Sequence, residues 1–315
     1  MKIIKKIILI NILLILISLT ACTYLPKDIN LPFNTGRESI EKPSEFQTGI
    51  EGLNIKFAQE TTQTQVREGT MFNIIYELQN KGYSDINEGL FKLITEEPYV
   101  RVEKKEGAII LKGKNEYMPE GETKRVKFKA TTGKIDENLN EFPVKTSLIS
   151  CYVYETKATP MVCIDPDTEG LKKSKACISE DITLTGGQGA PVEITQINPK
   201  IELTDKGFKT AFEIYLKNSG KGQVINPNYI EHACGSKSRT NTPEYNKVKI
   251  DVSLSNKILE CRPAEIEIKK DKEIRVYCEE KTEQKRRNTY LTPLQISIRY
   301  GYMASANGDV IITKR

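Results

Sequence analysis

Histidine is nearly absent: His232 is the only one in 315 residues. A Ser-His-Asp triad would have to use it, yet it lies in "NYIEHACGSK", a loop-like stretch. No Gly-x-Ser-x-Gly elbow occurs, and no Cys-x-x-Cys pair of the kind zinc sites use. His232 and Cys234 are two residues apart, which is a weak metal signal on its own, so no metal ligand is assigned. Asn-x-Ser/Thr is also missing, which removes N-linked glycan at that motif. Charge excess is small: the net +5 falls to +2 once Lys2, Lys5 and Lys6 of the leader are set aside. A nucleic-acid partner therefore lacks its electrostatic basis. The basic clusters at 268–273 and 284–287 read as solvated loops. Long amphipathic helices are absent as well, which counts against the α/β build of transport receptors; "DTEGLKKSKA" at 167–176 is the best short helical candidate.

The first 21 residues are of a different kind. Three lysines precede an apolar run from Ile7 to Ile17, broken only by Asn11, and Ser18, Thr20 and Ala21 come after it. This is the layout of an export signal, too short for the roughly 20 apolar residues of a spanning helix. Leu19-Thr20-Ala21-Cys22 resembles a prokaryotic lipobox. That resemblance implies cleavage before Cys22 and a diacylglyceryl group on its thiol, so membrane lipid is the first expected partner. An ordinary signal peptide and an uncleaved anchor are the alternatives. Two acyl chains hold stably where one barely does. Residues 22–48, with Pro26, Pro32 and Pro43 and no apolar period, read as a disordered tether with a reach of roughly 25–30 Å. Ile29, Leu31 and Phe33 offer a little apolar surface for packing against the first domain.

Beyond residue 48 the chain alternates. Ile74, Tyr76 and Leu78 interleave with polar residues, as do Phe212, Ile214 and Leu216. Superposing Asn80-Lys81-Gly82 on Asn218-Ser219-Gly220 aligns both triplets and indicates an internal repeat of about 138 residues. Further strands are expected at 53–57, 90–93, 108–111, 124–130 and 144–154. In the second half they are expected at 192–197, 248–254, 265–268, 273–277, 294–302 and 310–313. Short strands parted by Gly, Pro, Asn and Lys predict an all-β chain. The expected fold is two tandem immunoglobulin-like antiparallel β-sandwiches, 49–187 and 188–315, after an N-terminal signal helix (1–21) and the tether (22–48). "TGGQGAPVEI" lacks the Lys-Ser/Thr and helix of a phosphate loop and reads as the hinge between them.

The strand ending in Asn-x-Gly, the segment "CYVYETKATPMVCIDP" and the junction "GGQGAP" are similar to archaeal surface proteins with tandem immunoglobulin-like domains, related to bacterial cell-adhesion (CARDB-type) modules. The resemblance spans most of residues 48–315. It implies fold and location and supplies no catalytic residues.

Six cysteines remain: Cys151, Cys163, Cys177, Cys234, Cys261 and Cys278. An even set in an exported chain reads as disulfides. Cys261 with Cys278 is the preferred pair, across a hairpin in which Ile266 and Ile268 face Ile274 and Val276. Cys163 has two candidate partners, Cys151 and Cys177. Each half holds three cysteines, so either Cys234 joins a first-half cysteine or each half keeps a free thiol.

No catalytic residue and no cofactor is assigned. Asp165, Asp167, Glu169, Glu180 and Asp181 are numerous enough to keep a hydrolase or ligand-binding receptor as the alternative. "IDPDTEG" offers oxygen ligands that could bind calcium, yet lacks the regular acidic spacing of a calcium loop. Tyr300 and Tyr302 share one face of a late strand and serve either core packing or a contact patch. The expected function is a non-enzymatic, lipid-anchored protein on the outer face of the cell membrane. It would be an envelope scaffold or adhesion module with a protein or polymer partner at the cell surface, and with no nucleic acid.

Overall fold

Successive side chains of a pleated strand leave opposite faces, so alternating sequence becomes half-buried sheet. The computed structural model describes residues 46–235, 244–285 and 288–315. The leader, Cys22 and all but the last three residues of the tether lie outside them. The first half contains β1 (Leu53–Phe57), β2 (Gln65–Arg67), β3 (Met71–Asn80), β4 (Gly89–Thr95), β5 (Val100–Val102), β6 (Glu106–Ala108), β7 (Thr123–Thr132) and β8 (Glu141–Ala158). β9 (Met161–Ile164) and β10 (Ile182–Thr183) come next. The second half contains β11 (Val192–Thr204), β12 (Gly207–Asn218), β13 (Gln223–Ile225), a 3-10 turn at Pro227–Tyr229 and α1 (Ile230–Ala233). It ends with β14 (Lys247–Leu254), β15 (Lys257–Ile258), β16 (Glu260–Arg262), β17 (Ile266–Glu267), β18 (Glu273–Glu279) and β19 (Tyr290–Thr313).

The chain is all-β, and its sheets repeat. One sheet runs β1-β3-β7-β5 and another β10-β11-β12-β18-β16, the same order with β10 added at one edge. A third sheet of ten strands takes the path β15-β14-β19-β8-β4-β6, with β2, β9, β13 and β17 attached beside it. Its centre is the ladder between β8 and β19, antiparallel along all 18 residues of β8. Strands from both sides of the expected boundary at residue 187 thus share one sheet. The described residues fall in one compact unit.

Burial along this ladder shows why. Val144, Thr146, Leu148, Ser150, Tyr152, Tyr154 and Thr156 of β8 are buried, an unbroken even-numbered face. On β19, Leu294, Ile296, Ile298, Tyr300 and Tyr302 line the core of the second half, and Val310 and Ile312 line that of the first. Each last strand therefore serves both cores. Tyr76 of β3 reaches across the first sandwich to the Thr146 carbonyl at 3.1 Å, and Phe91 of β4 meets Phe128 of β7 edge to face.

Several expectations change. The stretches 294–302 and 310–313 are one strand, with Asn307-Gly308 inside it. Gly308 is needed where the Phe57 ring crosses β19, since a Cβ there would collide with that ring. Residues 167–176 form no helix; they belong to a loop closed by Cys163–Cys177. Ile266 pairs with Val248 of β14 rather than facing β18, and β16 takes the place beside β18. Cys261 and Cys278 are therefore directly opposite in register, with Cα atoms 4.0 Å apart.

Candidate functional site

Four tyrosines meet at the centre of the shared sheet. In register, Tyr154 faces Tyr300 and Tyr152 faces Tyr302. Their rings pack edge to face with centroids 5.5–6.4 Å apart. All four are buried, so each hydroxyl must find a partner inside. Tyr154 donates to Asn80 Oδ1 at 3.0 Å, and Tyr302 donates to Asn218 Oδ1 at 3.1 Å. Tyr152 accepts from the Leu53 N–H at 2.9 Å, and Tyr300 accepts from the Val192 N–H at 3.3 Å. The repeated Asn-x-Gly is thus the socket for a tyrosine from each last strand. Its glycine is required too, because a Cβ on Gly82 would land on the Tyr154 hydroxyl and one on Gly220 on the Tyr302 hydroxyl. The matched contacts describe a pseudo-twofold axis through the β8–β19 ladder. Burial raises the tyrosine hydroxyls, Tyr302 to about 12 despite hydrogen bonds from the Gly222 N–H and to Asn218 that pull the other way. Tyr152, Tyr154 and Tyr300 are also pushed up by burial. Tyr300 and Tyr302 are core residues.

The glycine junction is stapled. The Gly49 N–H donates to the Gly186 carbonyl at 2.6 Å, and the Gly189 N–H donates to the Gly49 carbonyl at 2.8 Å. Gly186, Gly187 and Gly189 all take positive φ, and at Gly187 a Cβ would strike the Gly49 carbonyl.

All six later cysteines are paired: Cys151–Cys234, Cys163–Cys177 and Cys261–Cys278. Cys151 and Cys163 do not join, because β9 carries Cys163 on to pair with Leu291 of β19, while Cys151 sits opposite Met303. Cys151 belongs to the outer, odd-numbered face of β8. There Cys234 brings α1 down, and Ile225 and Ile230 form a small second core with Ile149, Val153 and Met303. Cys234 is used in this bridge, and His232 packs its ring 5.7 Å from Tyr229. Three disulfides of this kind fit an oxidising compartment outside the cytoplasm.

The carboxylates divide. Asp165 and Asp167 hold Lys175, whose Nζ lies 2.7 Å and 3.1 Å from their oxygens and donates to the Asp167 carbonyl at 3.0 Å. Burial pushes Asp165 up, but hydrogen bonds from Lys175, the Asp167 N–H and Thr289 outweigh it and keep the carboxyl below the usual range. The Lys172 and Leu171 N–H groups and Lys175 hold Asp167 low as well. An ammonium therefore stands between the two acids of the candidate calcium loop. Glu169, Glu180 and Asp181 are exposed. Among the described residues no three His, Cys, Asp or Glu side chains are grouped to hold a metal ion, and no helix is long and apolar enough to cross a membrane.

No family model matches the chain, and no curated protein does. Solved structures align only distantly. The secreted serine protease VesC from Vibrio cholerae aligns over 82% of this chain and 51% of that one, at 10% identity and TM-score 0.20. The CupB6 tip adhesin from Pseudomonas aeruginosa aligns over 85% and 97%, at 9% and 0.14. The B domain of a biofilm-associated protein aligns over 88% of each, at 7% and 0.15. The chain spans about half the length of VesC. At such scores none of these likenesses transfers a fold family or an activity.

Proposed function

We propose that the protein is a non-enzymatic interaction module of the cell envelope, anchored to the outer face of the membrane by lipid on Cys22. The observation that carries this reading is the fusion of the two halves. A continuous ladder, the buried tyrosine sockets and Cys151–Cys234 make one stiff body whose accessible features are loops and strand edges. The leader's lipobox-like ending and the likeness to CARDB-type modules agree with it. The hydrolase alternative is weakened by the loop carboxylates. A general acid needs a raised pKa, and Asp165 and Asp167 are held low around Lys175.

Protease shaving of intact cells tests the placement: fragments from 49–315 released while the membrane stays whole support it. A protein protected until lysis contradicts it.

A further inference from the structure

The pseudo-twofold axis supplies an internal comparison between two grooves. On one side, Asp85, Glu88, Glu155, Lys157 and Arg299 line a groove of about 540 Å³. Apart from Lys114, its charges are paired: Glu155 lies 2.9 Å from Lys157, Arg299 3.4 Å from Glu88, and Asp85 2.8 Å from Lys112. On the other side, a cleft of about 820 Å³ runs between β1 and the segment after β12. Lys221, Lys269 and Lys270 line it with Asn54, Gln223 and Asn246, over a floor that includes Ile149 and Met303, and no carboxylate is among its walls. Of these lysines only Lys269 has an acid near among the described residues, Glu267 at 3.6 Å outside the cleft. The cleft is a cationic, amide-rich slot with an apolar base.

Met303, Ala304 and Ser305 of β19 border this cleft. Along the edge of β19 away from β8, β14 covers 294–299, β13 covers 301–303 and β2 covers 311–313. Among the described residues no strand hydrogen-bonds 304–310 along this edge; β1 of the facing sheet lies close by, with the Phe57 ring against Gly308, and bounds the edge on its inner side. Backbone direction alternates along a strand. The Ile311 N–H donates outward to Thr64, and the Thr313 carbonyl accepts from the Glu68 N–H. Ser305, Asn307 and Asp309, of the same parity and all exposed, therefore aim their N–H and C=O groups at this open edge. Nothing equivalent exists on β8, which ends at Ala158 before Pro160 and turns into β9.

We propose that residues 305–309 of β19, with the basic cleft beside them, receive an extended acidic segment of a partner protein as an added strand. This rests on the surface-module reading and names its docking site. Three outward pairs of donor and acceptor at strand spacing match a peptide backbone, which an acidic glycan does not supply. The unmatched lysines select carboxylates at the end next to β13. Asp309, at the far end, stands opposite Lys145 in register.

The test uses the full-length protein in detergent and a fluorescein-labelled peptide of about ten residues alternating Glu and Val, long enough to cover the edge. Saturable anisotropy that weakens with salt is expected. Lys221→Glu with Lys270→Glu should lower affinity about tenfold, through lost charge complementarity. Asn307→Pro should abolish binding and leave the melting temperature near wild type, because its N–H points away from β8. Ala306→Pro, which removes a donor to β8, should destabilise the fold and so confirms the parity. Binding unaffected by Asn307→Pro overturns the proposal. So does the absence of saturable binding, or binding of polygalacturonate in place of the peptide. In those cases cell-surface shaving still reports separately on the module reading.

Discussion

Tyr302→Phe and Tyr154→Phe are the same substitution at symmetric positions, yet they should differ in cost. Removing the Tyr302 hydroxyl takes from Asn218 Oδ1 the donor at 3.1 Å and from the Gly222 N–H its acceptor at 2.8 Å. Asn218 is 1% exposed, so water cannot replace that donor. Its Nδ2 still donates to the Gly222 carbonyl, which holds the amide in place with its oxygen bare. A buried acceptor left unpaired costs about 1–3 kcal/mol, and with the lost N–H bond the total comes to about 2–3 kcal/mol. On the other side, Asn80 Oδ1 also accepts from the Gly82 N–H at 3.2 Å. Tyr154→Phe takes its acceptor from the Ser84 N–H, just as Tyr302→Phe does from the Gly222 N–H, but the Asn80 oxygen remains satisfied, so the cost should be about 1 kcal/mol, the worth of the lost N–H bond alone. Urea unfolding reads the difference as a larger drop in midpoint for Tyr302→Phe at unchanged slope. Equal losses, or a larger loss for Tyr154→Phe, would refute the socket argument.

Alkali should unfold the protein through the same cluster. Tyr302 and Tyr76 ionise near 12 in the fold against 10 in the open chain, burial being the main cause in both. Above pH 10 the unfolded chain releases protons that the fold retains, so stability is full below 10 and declines toward 12, by about 3 kcal/mol for Tyr302. Exposed tyrosines such as Tyr117 ionise independently of the fold, so the expected signature is a second, late step of tyrosinate absorbance that coincides with loss of β-sheet circular dichroism; full tyrosinate absorbance with the sheet signal intact would contradict burial. Replacing Cys151 and Cys234 by Ser should cost about 4.5 kcal/mol in the chain-entropy picture, against about 3 for Cys163–Cys177, because they close a loop of 83 residues rather than 14. Thermal midpoints in that order check it. Lys175→Met should free the loop after Cys163, seen as faster tryptic cleavage at Lys172 and Lys173, with fragments that separate only on reduction.

The repeat was the most legible part of the fold. Asn80 and Asn218, aligned with their apolar triplets, do stand at equivalent ends of β3 and β12. What the asparagines do there was not legible, because their tyrosine partners arrive from β8 and β19, 74 and 84 residues away in sequence. The glycines after them look like ordinary turn residues until the hydroxyls they admit are seen. The fusion of the halves was hidden for a related reason. Asn307-Gly308 reads as a break, yet the chain stays extended there, and Gly301 and Gly308 are the points where Ile225 and Phe57 lie against the strand. Among the loop acids, nothing in the sequence marked Lys175 as the cation they hold. Lys175 lies ten residues after Asp165, a spacing that means nothing until Cys163–Cys177 folds the loop back on itself.

The decisive measurement is the intact mass of the native protein, taken from membranes without reduction. The expected chain begins at a diacylglyceryl-bearing Cys22, and its six remaining cysteines carry no free thiol. A chain that begins at Met1 with its thiols reduced would contradict both expectations.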